Sequence, residues 1–432
     1  MKSGYFAQQE MIAANGTDLH RTMGGVAGYL EPGASYPSKE LSMNHPHEEQ
    51  FLVFGSPLIG EEEIAEVTES LRSCWLGTGP KVARFERDFA AYKGVSEKNV
   101  AAVNSCTAAL HISMIAAGIG PGDEVITTPL TFAATVNAII HSGATPVLAD
   151  VDPQTMNIDP AQVQAHITSK TRALVIVHFA GRPCEMDALV TIAQKYHLIL
   201  IEDCAHAIET EYHGRKAGTF GDFGCFSFYV TKNVITGEGG MILSLSEEHI
   251  GRAKILALHG LSRDAWRRFS DDGYKHYYVT ECGFKYNMMD IQAAIGIHQL
   301  GRVETNWSRR QVIWNAYQDA FADLPVIRPT DPEKDTRHAY HLYTLLVDEK
   351  STRISRDRFL EQMTAQHIGV GVHYLSIPEH PYYQRTFGWR PDDYPNAMRI
   401  GRQTVSLPLS PKLTETDVQR VTRAARTSLT VQ

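Results

Sequence analysis

Residues 227–240 read SFYVTKNVITGEGG, with one lysine, Lys232, between aromatic residues and a glycine turn. An ordinary lysine amine is protonated near neutral pH. Where its pKa is lowered it becomes a nucleophile and base, able to condense with an aldehyde cofactor. A solvated loop lysine is the plain alternative, so other residues have to decide. Upstream, Glu202-Asp203-Cys204-Ala205-His206 follows an apolar run, 198–201. A carboxylate at the end of a buried run is costly unless paired. Asp203 suits a protonated ring nitrogen, and His206, three positions on, would share a helix face with it. An N-cap aspartate with a neighbouring histidine reads equally well. Phe132, after the run 124–127, either offers its ring to a flat cofactor or fills the core. Ser105-Cys106-Thr107 opens a run of small residues after 100–103. Ser105 or Thr107 would cap a helix there, and the free N–H groups with the helix dipole favour an anion such as phosphate, although capping alone is the commoner use.

These residues need elements that bring them together. Short apolar runs at 100–103, 124–127, 145–149, 173–177, 198–201, 225–228 and 241–245 alternate with helix-patterned stretches. Continuous apolar runs between helices mean strands buried on both faces, hence a largely parallel sheet in an α/β domain. In such sheets ligands sit beyond the carboxyl ends of the strands. Each chemically suggestive residue above follows a run, with Ser227 near the end of 225–228 and Gly237, Gly239 and Gly240 turning the chain into the next strand. Helices are also expected at 61–72 and 84–92, the latter with Phe85, Phe89 and Tyr92 on one core stripe. After residue 300 the pattern loosens into a long helix at 303–322, strands at 340–347 and 370–374, and a closing helix from Glu415. The expected organisation is therefore an N-terminal arm over 1–50, a large domain over 51–300 and a smaller α+β domain over 301–432.

Composition bounds the function. The 432 residues carry 41 basic and 49 acidic side chains, a net charge of −8, which disfavours nucleic acid or an anionic membrane as the main partner. Cysteines 74, 106, 184, 204, 225 and 282 form no CxxC pair and read as reduced cytoplasmic thiols. No signal peptide and no membrane span are expected. In Met43-Asn44-His45-Pro46-His47 a proline separates the histidines and no third ligand is near, so no metal site is expected.

In this order, TFAATVNAI, IEDCAHAI, GDFGCFSFYVTKNVITGEGG and GFKYNMMDIQAAIG resemble the DegT/DnrJ/EryC1/StrS family of pyridoxal-phosphate sugar aminotransferases. SCWLGTGPKVARFERDFAAYKG and LPLSPKLTETDV extend the resemblance from about Gly60 to the end. It is nearest to members that aminate UDP-4-keto-pentoses. The resemblance implies a fold-type-I transferase with pyridoxal 5′-phosphate as cofactor. Lys232 is then the Schiff-base lysine, Asp203 the partner of the pyridine nitrogen, and His206 a neighbour of the cofactor's phenolic oxygen. Phe132 takes the ring-stacking position, and Cys106, Thr107 and Ser227 the phosphate. Asn287 reaches the phosphate in the neighbouring subunit, which implies a homodimer with shared active sites. That last role has no counterpart in spacing.

The activity implied is transfer of an amino group, with glutamate as donor, to a keto sugar, nucleotide-linked as in a UDP-4-keto-sugar. A sugar dehydratase on the same fold places histidine where this chain has Lys232. A keto-cyclitol aminotransferase of the same family remains open. A non-catalytic binding protein would be expected to lose Lys232 or Asp203. In a nicotinamide dehydrogenase the glycine fingerprint opens a helix, whereas Gly218-x-x-Gly221-x-x-Gly224 has another spacing and precedes a strand. Two features depart from the family pattern: the long arm, and the loosely matching segment 369–378.

Overall fold

The computed structural model describes residues 50–262 and 276–430. The expected arm, residue 50 apart, and the Met43–His47 cluster lie outside the described residues. Among those described, no helix is long and apolar enough to cross a membrane.

Helix α1 (Glu61–Ser73) starts on three glutamates, which favour its positive end. Helix α2 (Pro80–Lys93) has proline in its first turn, where no N–H is needed, and stops at Gly94, whose φ of 72° suits a residue without Cβ. The α/β succession follows. Its order is β1 (Val100–Val103), α3 (Cys106–Ala116), β2 (Glu124–Thr127), α4 (Ala133–His141), β3 (Thr145–Leu148), α5 (Pro160–Ala165), β4 (Thr171–Val177), α6 (Met186–Tyr196) and β5 (Ile199–Asp203). A small hairpin, β6 (Glu211–Tyr212) and β7 (Arg215–Lys216), leads to β8 (Phe223–Ser227), β9 (Gly240–Leu243) and α7 (Glu247–Ala257).

Seven strands form one sheet in the order β1-β9-β8-β5-β4-β2-β3. Its pairs are parallel, except that β9 runs antiparallel to both β1 and β8. This reversal brings chemistry together. Gly240, the first residue of β9, lies between Val103 and Ser227, the last residues of β1 and β8. Asp203 ends β5 between Val177 and Cys225. The expected strand at 198–201 thus runs two residues further and carries Glu202 and Asp203 on opposite faces.

The C-terminal part begins with α8 (Asp290–Gly301) and α9 (Val303–Ala320). Strand β10 (Thr336–Arg337) pairs with β6, and β11 (Tyr343–Leu346) with β12 (Thr404–Leu407), both antiparallel. Helices α10 (Glu349–Thr352), α11 (Arg356–Ala365), α12 (Pro381–Phe387), α13 (Pro395–Gln403) and α14 (Glu415–Thr430) surround that pair. Trp314, Tyr317, Tyr343, Phe359 and Val421 share its core. The strand expected at 370–374 does not form. Gly371 alone bridges to Ser406, and on the other edge Gly369 N–H bonds Leu52 carbonyl at 2.9 Å. A Cβ on Gly369 would meet that carbonyl at 2.9 Å, so this edge is clasped by residues 52–54 instead of extending a ladder. The chain beyond runs irregularly and carries His373 and Tyr374 back toward the large sheet.

Candidate active site

Lys232 lies in the loop from β8 to β9. Its N–H bonds Tyr229 carbonyl at 2.8 Å, and Phe228 carbonyl takes the Thr236 N–H at 2.8 Å, which folds the loop over. Gly237, with φ of 82°, closes it. The residue is part-exposed, but its amine is packed round by protein atoms. Burial lowers its pKa to about 8, against an upward pull from Cys106 and Asp203. Among the described residues, no hydrogen bond or ion pair holds that amine.

Asp203 is only 4% exposed. Its Oδ2 accepts from Thr135 Oγ1 at 2.8 Å and its Oδ1 from Ala205 N–H at 3.1 Å. Burial raises its pKa more than Ala205, Thr135 and Lys232 together lower it. The carboxylate is therefore held in place yet short of positive charge.

Ser105 caps α3 through Oγ, which accepts Ala108 N–H at 3.1 Å. Cys106 and Thr107 follow as its first two residues, where N–H groups have no helical acceptor. Burial pushes the Cys106 thiol well up, so it stays protonated, and its Sγ lies 3.6 Å from Cys225 carbonyl and 4.0 Å from Asp203. Gly240 passes so close that a Cβ would meet the Ser105 carbonyl at 2.5 Å. Ser227 is half-buried, and its Oγ accepts Tyr229 N–H at 3.3 Å. Phe132 precedes α4 with 62% of its surface exposed, which excludes the core reading. Asn287 bridges to Val103 at the end of β1. Its Nδ2 donates to Thr78 Oγ1 at 2.7 Å, while its Oδ1 is buried without a partner among the described residues.

His206 corrects an expectation. No helix follows β5, so there is no shared helix face; a turn carries the imidazole. Asp203 ends the strand and uses Oδ1 on Ala205 N–H two residues on, a local bond that favours a turn over continued helix. His206 Nδ1 accepts Ala180 N–H at 3.3 Å, so its hydrogen sits on Nε2, 3.0 Å from Tyr374 Oη. Burial and then Lys232 hold this imidazole neutral, its pKa well below the usual value.

Three neighbours had no individual signal in the sequence. Tyr374 packs 5.8 Å from the Phe132 ring and 6.0 Å from His206. His341 lies 4.4 Å from His206, and burial with His206 and Lys232 keeps it neutral. His373 donates to or accepts from Ser406 Oγ at 2.9 Å, and burial with Lys232 brings it to about 4. Tyr374 and His373 fall in the loosely patterned 369–378 segment, while Thr135 stands one helical turn after Phe132 in TFAATVNAI. Spacing could have suggested Thr135 alone.

His178, Glu202 and Cys204 bring ligand atoms within 4.8 Å of one another. They are not a metal set. Glu202 already accepts from Gly218, Phe220 and Gly221 N–H and from His178, and burial pushes the Cys204 thiol well up.

An amine of lowered pKa, a charge-poor carboxylate and a free helix N-terminus, all at one sheet end, suit an aldehyde cofactor with a cationic ring and a phosphate. Together with the sheet, they define the class: a fold-type-I pyridoxal-phosphate enzyme. The sequence profile of the DegT/DnrJ/EryC1/StrS aminotransferase family matches residues 57–426. The spore coat polysaccharide biosynthesis protein SpsC of Bacillus subtilis (strain 168) is 49% identical over 377 residues, which are 87% of this chain and 96% of its own. The putative sugar aminotransferase Spr1654 from Streptococcus pneumoniae, in its PLP form, aligns with a TM-score of 0.81 at 30% identity, over 88% of this chain and 98% of that one. DesI, solved in the presence of its TDP-sugar product, gives 0.78 at 31% identity, over 88% and 94%. The chain belongs to the DegT/DnrJ/EryC1/StrS aminotransferase family. It is a pyridoxal-phosphate-dependent sugar aminotransferase.

Proposed function

We propose that the protein transfers an amino group from glutamate to a nucleotide-linked keto sugar, with Lys232 as its catalytic amine. The observation that carries this reading is the Lys232 amine itself: pKa about 8, unbonded among the described residues, with Cys106 at the α3 N-terminus and the Asp203 carboxylate as its electrostatic neighbours. When bound, pyridoxal phosphate supplies an aldehyde carbon and an electron-withdrawing ring. Lys232 would hold that carbon at rest, and its amine of lowered pKa, once free, would carry the proton at the donor's α-carbon. Asp203 would accept the hydrogen of the ring nitrogen and keep the ring positive; Thr135 and Ala205 aim its carboxylate. Phe132 would offer its exposed ring for stacking, and the His206 Nε2–H would serve the phenolic oxygen. The Cys106 and Thr107 N–H groups with the Thr107 and Ser227 hydroxyls take the phosphate. Asn287 Nδ2 gives one hydrogen to Thr78 and has a second to donate, and we assign that donor to the partner's phosphate in a homodimer. The nucleotide rests on likeness to DesI, whose structure was solved with a TDP-sugar product. A cytoplasmic setting accords with six unpaired cysteines. The large domain is taken as 51–300 and the small one as 301–432.

The test loads the protein as pyridoxamine phosphate and screens keto substrates for return of visible absorbance. Nucleotide-linked keto sugars should restore it. Restoration by a free keto-cyclitol and not by any nucleotide sugar would transfer the protein to the cyclitol class. Lys232→Ala should fold, lose the visible band and stop turning over. Subunit exchange between Lys232→Ala and an inactive Asn287→Asp should recover activity, because one site of the heterodimer escapes both lesions.

A further inference from the structure

One buried carboxylate beside the site takes no part in these steps. Glu209 is fully enclosed beyond the turn that carries His206. Its two oxygens lie 3.0 and 2.9 Å from Asn233 Nδ2, and the same nitrogen donates to Ala339 carbonyl at 2.9 Å. The Ala339 carbonyl only accepts, as does Glu209 when ionised, so the Asn233 amide turns its nitrogen toward them and its oxygen away. On the far side His341 Nδ1 lies 2.9 Å from Asn233 Oδ1. An amide oxygen cannot donate, so His341 carries its hydrogen on Nδ1. Asn233 is the residue after Lys232, and the His341 ring packs at 4.4 Å on His206. Glu209, Asn233, His341 and His206 are all at least nine-tenths buried, so water does not compete for these bonds.

We propose that Glu209 is a positioning residue for this active site: through the Asn233 amide it locks His341 in its Nδ1–H form against His206 and pins the residue next to Lys232. The proposal rests on the reading that Lys232 and His206 serve the cofactor. Were the amide reversed, its oxygen would face the Glu209 carboxylate and the Ala339 carbonyl, acceptor against acceptor. Its NH2 would face His341 and drive that ring's hydrogen to Nε2. The Ala339 carbonyl, together with Glu209 once ionised, opposes this reversal, so the neutral imidazole beside His206 keeps one tautomer, and the loop bearing Lys232 keeps one anchor. Arg310, buried on α9, and Arg337 are compensating charges; Arg310 Nη1 is committed to Leu409 carbonyl at 2.6 Å, and among the described residues it forms no ion pair with Glu209.

The primary test needs no variant to fold. Long-range nitrogen NMR of histidine-labelled, cofactor-free wild type should show His341 as the Nδ1–H tautomer and His206 as the Nε2–H tautomer, with His341→Gln assigning the signal. His341 as Nε2–H would overturn the proposal. Two substitutions then separate positioning from mere structure. Glu209→Gln keeps an acceptor for Asn233, so the His341 signal and kcat should stay within about twofold of wild type. Glu209→Leu, where circular dichroism shows it folded, should give mixed His341 tautomers, a shifted pH midpoint of the visible band, and kcat down about tenfold at nearly unchanged KM. A folded Glu209→Leu with wild-type tautomer, midpoint and kcat would sink the proposal. Lys232→Ala serves as the control: turnover by that variant would remove the reading beneath the proposal and leave the NMR result standing, so the two failures are told apart.

Discussion

On one face of β5 the Glu202 carboxylate accepts Gly218, Phe220 and Gly221 N–H at 2.7, 2.7 and 2.8 Å and His178 Nε2 at 3.1 Å. His178 Nδ1 takes the Cys184 N–H at 3.1 Å, so Nε2 carries the hydrogen that Glu202 receives. On the other face, one residue on, Asp203 accepts from Thr135 Oγ1 and Ala205 N–H, with the Cys106 thiol at a looser 4.0 Å. Both side chains are buried. Burial alone would raise both pKa values, but for Glu202 the His178 ring and the backbone donors outweigh it and leave the carboxyl below its usual range. For Asp203 burial wins. A buried carboxylate whose acceptor sites are filled by its own fold is structural. One left short of positive charge, beside a depressed lysine, fits the cofactor-facing role proposed for Asp203.

Substitutions at these positions can break the contrast. Asp203→Asn keeps the shape and removes the charge. The single-turnover rate should fall on the order of 10²- to 10³-fold with cofactor still bound. An unchanged rate would make Asp203 a turn-former only. Glu202→Ala should do the reverse. It orphans three backbone N–H groups and His178, so urea denaturation should show a loss of about 3–5 kcal/mol, while kcat per folded molecule stays near wild type. A stable Glu202→Ala with slowed chemistry would erase the distinction between the two faces.

Glu209 is an intermediate case, sharpened by pH. Burial, set against Arg310 and Asn233, raises its pKa from 4.5 to about 7. Its folded pKa lies above its unfolded one, so its contribution is fully present below pH 4.5 and is lost as pH rises through 7. Wild type should therefore lose up to about 3 kcal/mol relative to Glu209→Gln between pH 4.5 and 8, read from paired denaturation curves. Parallel curves would show that Glu209 is ionised in both states. The smallest effect belongs to Thr135→Val, which removes one neutral donor from Asp203. A loss of about 1 kcal/mol, roughly fivefold in kcat, is expected, with KM unchanged. A loss as large as that of Asp203→Asn would mean that aim outweighs charge.

What the sequence carried by itself was local. Alternating apolar runs and helix patterns marked the seven main strands, because burial on both faces leaves a continuous signature. Ser105 announced a helix start through the backbone N–H that such a residue satisfies. Motif order was enough to name the family and to single out Lys232, Asp203, Phe132 and the α3 N-terminus. Tertiary structure decided which distant side chains meet. The reversed strand β9 sets the ends of β1, β8 and β5 at one edge, and no residue pattern states strand order. His206 left the expected helix because Asp203 spends an oxygen on the turn. Tyr374 reaches His206 across 168 positions and His341 reaches Asn233 across 108. Such bonds depend on where whole elements dock, and neither the period of a helix nor that of a strand extends that far.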